Sequence, residues 1–262
     1  MTSGIFDNLT GATEKSDPIA LVQREARRPL PRRFYSDAKV EARDGRFVVA
    51  LDGKTVRTPR RELFSLPTGP SAEAVCAEWA AQEQTIDPAT MPMTRIVNSA
   101  LDGVAQAMGA VASEIAKYAA SDVLCYRAVE PDTLVELERA AWDPVLDWAD
   151  EALGARFVLA KGVMFVDQPA AALAAVEKAV QAYDTPIALA CLHTMTTLTG
   201  SAVLALAVAR GQMSVASAWA AAHVDEDYEM QLWGQDEEAL ERRAKGWREM
   251  DAAARLLMLV SN

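Results

Sequence analysis

The 262-residue sequence predicts an α+β fold, in which a small antiparallel β-sheet with one packed helix precedes an all-helical region. Between residues 33 and 67, apolar residues alternate with a period of two and are separated by Asp-Gly turn signals. After Pro92 the chain is rich in alanine and leucine, and apolar residues recur with a period of about 3.6 residues. These patterns place the sheet before the helices.

The sequence divides into three predicted parts. Residues 1–30 are expected to form a flexible tail, residues 31–92 a β-rich N-terminal domain, and residues 93–262 an all-helical C-terminal domain. The first residues mix acids with bases and have no apolar stretch, so they resemble neither a secretory signal nor a mitochondrial presequence. The three widely spaced cysteines predict buried thiols and no disulfide framework.

Two turn signals organise the predicted sheet. Asp44-Gly45 and Asp52-Gly53 favour tight hairpins, because aspartate and glycine tolerate the left-handed backbone that these turns require. The alternation of Phe47, Val49 and Leu51 predicts the strand between the two turns. Proline and glycine then end the sheet, and Ser71 is expected to be the N-cap of the packed helix.

The helical region is divided by glycine and serine. Gly211 and Gly234 are expected to follow helices, and Ser214 is expected to begin one. The predicted helices cover residues 94–104, 107–120, 132–153, 170–183, 186–209, 214–233 and 235–259, with one strand signal at residues 157–166. The apolar stretch 186–209 contains several threonines, whose hydroxyls favour a buried core helix over a membrane span.

Charge is distributed unevenly. Residues 21–61 carry a net charge of +7, whereas residues 62–262 carry −16. An acidic body disfavours general nucleic-acid binding, because phosphate contacts need lysine and arginine. One alternative function stays open at this stage: binding of an anionic surface or nucleic acid through Arg57, Arg60 and Arg61.

No sequence motif predicts an enzyme. The chain contains no GxxxxGK[ST], GxGxxG or GxSxG segment, and we assign it no cofactor and no metal. His193 and His223 both fall on predicted helices, where they are expected to be core residues. The abundant acidic clusters keep a carboxylate-based enzyme as a second, less favoured alternative.

The acidic run Asp225-Glu226-Asp227 is followed at once by Tyr228, Glu229, Leu232 and Trp233. On a helix, Asp225 and Glu229 share one face, while Tyr228 and Leu232 share another. The run is either a solvated helix face or an edge that binds a partner, since exposed aromatic groups beside charges are typical of interface anchors.

Several segments of the sequence occur in an order and at spacings that are characteristic of a single protein family. These segments are Arg33-Phe34-Tyr35, residues 51–59 (LDGKTVRTP), 78–82 (EWAAQ), 91–94 (MPMT) with Asn98, 122–127 (DVLCYR), 142–144 (WDP) and 225–234 (DEDYEMQLWG). Taken together they resemble the Atp12-type chaperones, which assemble the F1 sector of ATP synthase. The resemblance extends from about Arg32 to the C-terminal helix.

This resemblance implies a non-enzymatic chaperone that holds the newly made α subunit of F1 until the β subunit replaces it. It implies a bacterial cytoplasmic protein, or a mitochondrial matrix protein in a eukaryote. We expect a monomer, because a free partner-binding surface should not be consumed by self-association. We also expect that the protein binds no nucleic acid and does not insert into a membrane.

The resemblance also assigns roles to particular residues. The family motif residues, which we expect to be structural, are Trp79, Gln82, Asp52, Gly53 and Pro59. The resemblance places the acidic cluster of the family at Asp225, Glu226 and Asp227, which we expect to bind the partner. We add Glu229 and Trp233 to the expected partner-binding residues, because they continue the same acidic and apolar segment.

Overall fold

A computed structural model describes residues 30–162 and 164–261. The predicted tail, apart from Leu30, lies outside these residues. The sheet consists of β1 (Ala38–Arg43), β2 (Arg46–Leu51), β3 (Lys54–Thr55) and β4 (Ser65–Leu66). All pairings are antiparallel: β1 pairs along the whole of β2, and β3 and β4 share the other edge of β2. The predicted α+β order is confirmed.

Both predicted hairpins form. Asp44 and Gly45 have φ angles of 51° and 75°, and Asp52 and Gly53 have 47° and 77°, so both turns use the left-handed backbone that selects these residues. The Asp52 carboxylate also accepts hydrogen bonds from the backbone N–H groups of Ser36 and Asp37, at 2.9–3.2 Å. Asp52 therefore fixes the chain segment that enters β1.

Helix α1 (Gly69–Ala80) packs against β1 and β2. Its N-cap is Thr68, and the prediction of Ser71 is wrong. The Thr68 Oγ1 accepts a hydrogen bond from the Ser71 N–H at 3.2 Å and donates one to the Leu259 carbonyl at 2.6 Å. The proline at position 70 explains the shift, because proline suits the first turn of a helix and places the cap before it.

The remaining helices surround an alanine-rich core. They are α2 (Pro92–Asp102), α3 (Met108–Lys117), α4 (Asp132–Trp148), α5 (Ala170–Gln181), α6 (Pro186–Thr199), α7 (Ala202–Ala209), α8 (Val215–Ala222), α9 (Val224–Trp233) and α10 (Glu237–Ser261). A π-helical turn, Ala149–Leu153, extends α4. Among the described residues of the 157–166 region, only Ala160–Lys161 forms a strand, β6, which pairs in parallel with β5 (Tyr126–Arg127).

Two helices predicted as continuous are each broken in two. Between α6 and α7, Gly200 has φ of 66° and the Ser201 side chain caps Leu204. The buried Asp122 carboxylate accepts a hydrogen bond from the Val203 N–H, which adds a second cap to α7. The second break lies at His223, between α8 and α9. Tertiary caps therefore override a continuous apolar pattern.

Helix α6 is central, since it packs against α2, α3, α7 and α10. Its threonine hydroxyls donate to backbone carbonyls four residues earlier, as Thr196 does to Leu192 and Thr199 to Met195. This local bonding lets a hydroxyl-rich helix be buried without unpaired polar groups. Within the described residues, no helix is both long and apolar enough to cross a membrane.

Glu78 forms part of the junction between the sheet-bearing region and the helices. Its carboxylate accepts hydrogen bonds from the Met93 N–H, the Thr94 N–H and the Thr94 hydroxyl, at 2.7–2.8 Å. Burial raises the pKa of Glu78, whereas the bonds from Thr94 and Met93 lower it. Helix α2 has no side-chain cap of its own, so Glu78 of α1 serves as that cap. The domain division after Pro92 stays a prediction.

We expect Glu78→Ala to lower the free energy of unfolding by about 2 kcal/mol, because it leaves the first N–H groups of α2 without an acceptor. Urea unfolding followed by circular dichroism measures this loss. The matched control is Glu73→Ala, an exposed glutamate on the same helix. Equal effects of the two substitutions would contradict the capping role.

Candidate functional site

Helix α9 forms a ridge between two surface cavities. The apolar groove, of about 700 Å³, lies between α4, α8 and α9. The acidic pocket, of about 450 Å³, lies between α8, α9 and α10. Residues that line the apolar groove include Leu137, Ala140, Pro144, Met213, Ala220 and Val224. Residues that line the acidic pocket include Trp219, His223, Glu226, Glu229, Trp233 and Arg243.

The acidic run divides into residues that fasten α9 and residues that face solvent. Asp227 forms an ion pair with Arg243 of α10 at 2.5 Å, and the Tyr228 hydroxyl lies 3.0 Å from that of Thr133 on α4. Glu226 and Glu229 are exposed and border the acidic pocket. Of the five predicted partner-binding residues, Glu226, Glu229 and Trp233 thus meet at one cavity, whereas Asp227 lines the groove.

Asp225 contacts a second carboxyl group. It lies beside Glu138 of α4, whose side chain is buried and accepts hydrogen bonds from the Ala128 N–H at 2.9 and 3.2 Å. Burial raises the pKa of Glu138 to about 7, and the negative charge of Asp225 adds to this, while the Ala128 bond and Arg127 lower it. The pKa of Asp225 is also raised, chiefly by burial. The two carboxyl groups therefore favour sharing one proton.

Apolar side chains extend from the C-terminal end of α9. Trp233 is 86% exposed and Leu232 is 58% exposed. The helix ends because Gly234 adopts φ of 90° and ψ of 178°, a backbone conformation that essentially only glycine reaches. This sharp turn leaves Trp233 projecting beside two exposed glutamates, a combination suited to protein contacts.

A glycine of α10 supports the acidic pocket. A Cβ atom added at Gly246 would lie 2.8 Å from Cη2 of Trp219, so the indole ring packs directly on the glycine. The Trp219 ring also contacts His223, with a centroid separation of 4.0 Å. Our sequence interpretation did not single out Gly246 or Trp219. Gly246 could have been identified by its position inside a long predicted helix, because glycine is disfavoured there unless it has a packing role.

The family motif residues lie elsewhere in the fold. The Trp79 carbonyl accepts a hydrogen bond from the Tyr35 hydroxyl at 2.8 Å, and the two rings pack edge to face. Gln82 is buried, donates to Thr90 Oγ1 at 3.0 Å and accepts from the Asp87 N–H at 2.7 Å. With Glu78, these residues hold the segment between α1 and α2.

Pro59 belongs to a loop that attaches the sheet region to the end of α2. Its neighbours Thr58 and Arg60 both hydrogen-bond to Asp102, and Arg60 also binds the Asp102 carbonyl at 2.7 Å. Arg57 donates to the Arg61 carbonyl at 2.9 Å. Two of the three arginines proposed for anion binding are therefore engaged in internal hydrogen bonds.

The apolar groove was also missed by sequence interpretation. Its walls come from residues far apart in the chain, such as Leu137, Met213 and Val224. The buried Trp142 of α4 fixes the spacing of these walls, because its indole N–H donates to the Ala221 carbonyl at 2.6 Å.

The shared proton of Glu138 and Asp225 predicts a pH effect. Because the native pKa of Glu138, about 7, exceeds the unfolded value near 4.5, the native state takes up a proton first and gains stability as the pH falls through this window. We expect Asp225→Asn to reduce this gain, since the neutral amide removes the repulsion. The free energy of unfolding, measured by chemical denaturation at several pH values between about 4.5 and 7, checks this expectation, with the exposed Asp132→Asn as the control. A profile unchanged by Asp225→Asn would contradict the pairing.

Comparisons with known proteins agree with the resemblance. The family model for the ATP12 chaperone protein matches residues 32–150. The crystal structure of Atp12 from Paracoccus denitrificans has 36% sequence identity and a TM-score of 0.81, with 88% of this chain and 98% of that chain covered. Protein Atu1473 from Agrobacterium tumefaciens has 48% identity and a TM-score of 0.85, with 94% and 92% covered. This chain therefore belongs to the ATP12 chaperone family.

Proposed function

We propose that this protein is an assembly chaperone that binds the free α subunit of F1 ATP synthase and shields its interface until the β subunit replaces it. The observation that carries the proposal is membership of the ATP12 chaperone family. The α subunit as partner follows from the family resemblance. We further propose that the protein acts as a monomer in a bacterial cytoplasm.

The physical requirements of this role favour the α9 ridge as the binding surface. An α subunit without its neighbours exposes an apolar interface that would aggregate. A chaperone must cover that interface and later leave it. A moderate interface with charged contacts suits this, because a large dry interface dissociates slowly. Trp233 and Leu232 offer apolar anchors, and Glu226 and Glu229 offer the charged contacts.

The partner is tested by purifying the tagged protein from its own cells and identifying the retained proteins by mass spectrometry. Recovery of F1 α without β supports a chaperone of the free subunit. Recovery of complete F1, or of nucleic acid that is released by salt, would contradict the proposal and favour the alternative of anion binding.

We expect Glu226→Lys/Glu229→Lys to lower the affinity for F1 α by about tenfold or more, because charge reversal replaces attraction by repulsion at the contact. Titration of purified F1 α followed by fluorescence anisotropy measures this. Asp227 is left unchanged, since its reversal would also break the ion pair with Arg243.

The control is Glu73→Lys/Glu177→Lys, which alters two exposed glutamates on α1 and α5 and produces the same change in net charge. If both double variants lose affinity equally, the effect comes from overall charge and the α9 ridge is not the contact.

A further inference from the structure

The apolar groove has the shape and lining of a site for a helix. Four alanines, at positions 140, 141, 220 and 221, form much of its walls, so an occupant can approach the backbones of α4 and α8 closely. Larger apolar groups, Leu137, Met213 and Val224, border this surface. A volume of about 700 Å³ is enough to receive several aliphatic side chains.

The lining of the groove contains one acidic residue, Asp227, but two of the helices that border it are acidic. Helix α4 carries five acidic residues and one arginine, and α9 carries four acidic residues and no basic residue. The two helices therefore have a net charge of −8, against −11 for the whole chain. Glu136 and Asp147 of α4 are exposed and lie one helical turn from the groove residues Ala140 and Pro144, so lysine or arginine side chains at the edge of a bound segment would meet complementary charge.

Pro144 changes the backbone hydrogen bonding of α4 where this helix borders the groove. Proline has no N–H, so the carbonyl of Ala140 lacks the usual hydrogen bond from the residue four positions later. Both residues line the groove. The helical hydrogen bond that the Ala140 carbonyl would accept is therefore missing at this wall.

The elements around the groove decide between a helix and a strand as the occupant. The described lining comes from helices α4, α7, α8 and α9 and from Gln212 and Met213 before α8, so no described strand borders the groove to pair with an added strand. A helix instead needs an apolar groove for its apolar face, with its polar face in water or against the rim.

We propose that the apolar groove binds a basic amphipathic helix of the partner, with its aliphatic side chains against the alanines and its lysine or arginine residues against the exposed acids of α4. The inference rests on the proposed function for the identity of the partner, F1 α. The chemistry of the groove alone defines the segment that it takes.

The test uses a fluorescent synthetic peptide with leucine on one helical face and lysine on the other. We expect binding by fluorescence anisotropy, weakening as salt is added. The affinity should fall about tenfold in Ala140→Trp and in Ala220→Trp, because either indole fills the groove. Both alanines are exposed and lie on different walls, so each variant tests the groove independently, and circular dichroism confirms the fold of each.

The control variant is Ala174→Trp, at an exposed alanine of α5 outside the groove. A peptide with glutamate in place of lysine tests the charge, and one with serine in place of leucine tests the apolar face. Equal binding of the glutamate or serine peptide, or undiminished lysine-peptide binding by both groove variants, would overturn the inference.

Titrations with purified F1 α separate this inference from the proposed function. If F1 α binds the wild type and both groove variants equally, the groove is not the contact while the chaperone role stands. If the lysine peptide binds in the groove but F1 α does not bind at all, the groove assignment stands and the proposed partner is wrong.

Discussion

The cap that Glu78 places on α2 links the sheet-bearing region to the helices that carry the candidate binding surface. Its carboxylate joins the end of α1 to the first N–H groups of α2. Helix α2 then packs against α6 and α10, and Arg95 of α2 pairs with Glu249 of α10. Through α10 this constraint reaches Arg243, which holds α9. A contact beside the sheet thus helps to determine where the candidate binding surface lies.

The α9 ridge illustrates how similar residues acquire different roles. Asp227 and Tyr228 fasten the helix to its neighbours, and Asp225 shares a carboxyl pair with Glu138. Glu226 and Glu229 are left on the outer side. Because the anchoring residues hold the ridge in place, the solvent-facing acids are presented in a defined geometry, which would lower the entropic cost of the partner binding proposed for them.

Much of the fold was predictable because its signals are local. The Asp-Gly turns and the helical periodicity each act within a few residues, and both predictions are confirmed. The breaks at Gly200 and His223 and the cap at Thr68 were missed. The first break and the Thr68 cap involve partners distant in sequence, Asp122 and Leu259.

The acidic run was found from composition, but its division into anchors and exposed acids depends on Glu138 and Arg243. The groove could not be predicted, since no short segment contains it.

Helix α10 supplies a partner to several earlier elements: the Leu259 carbonyl to Thr68, Glu249 to Arg95, and Arg243 to Asp227. It also follows every other described element in the chain. During synthesis on the ribosome, neither the Thr68–Leu259 hydrogen bond nor the Asp227–Arg243 ion pair can form until α10 has emerged. The order of translation therefore delays the fastening of the α9 ridge until every other described element has been made.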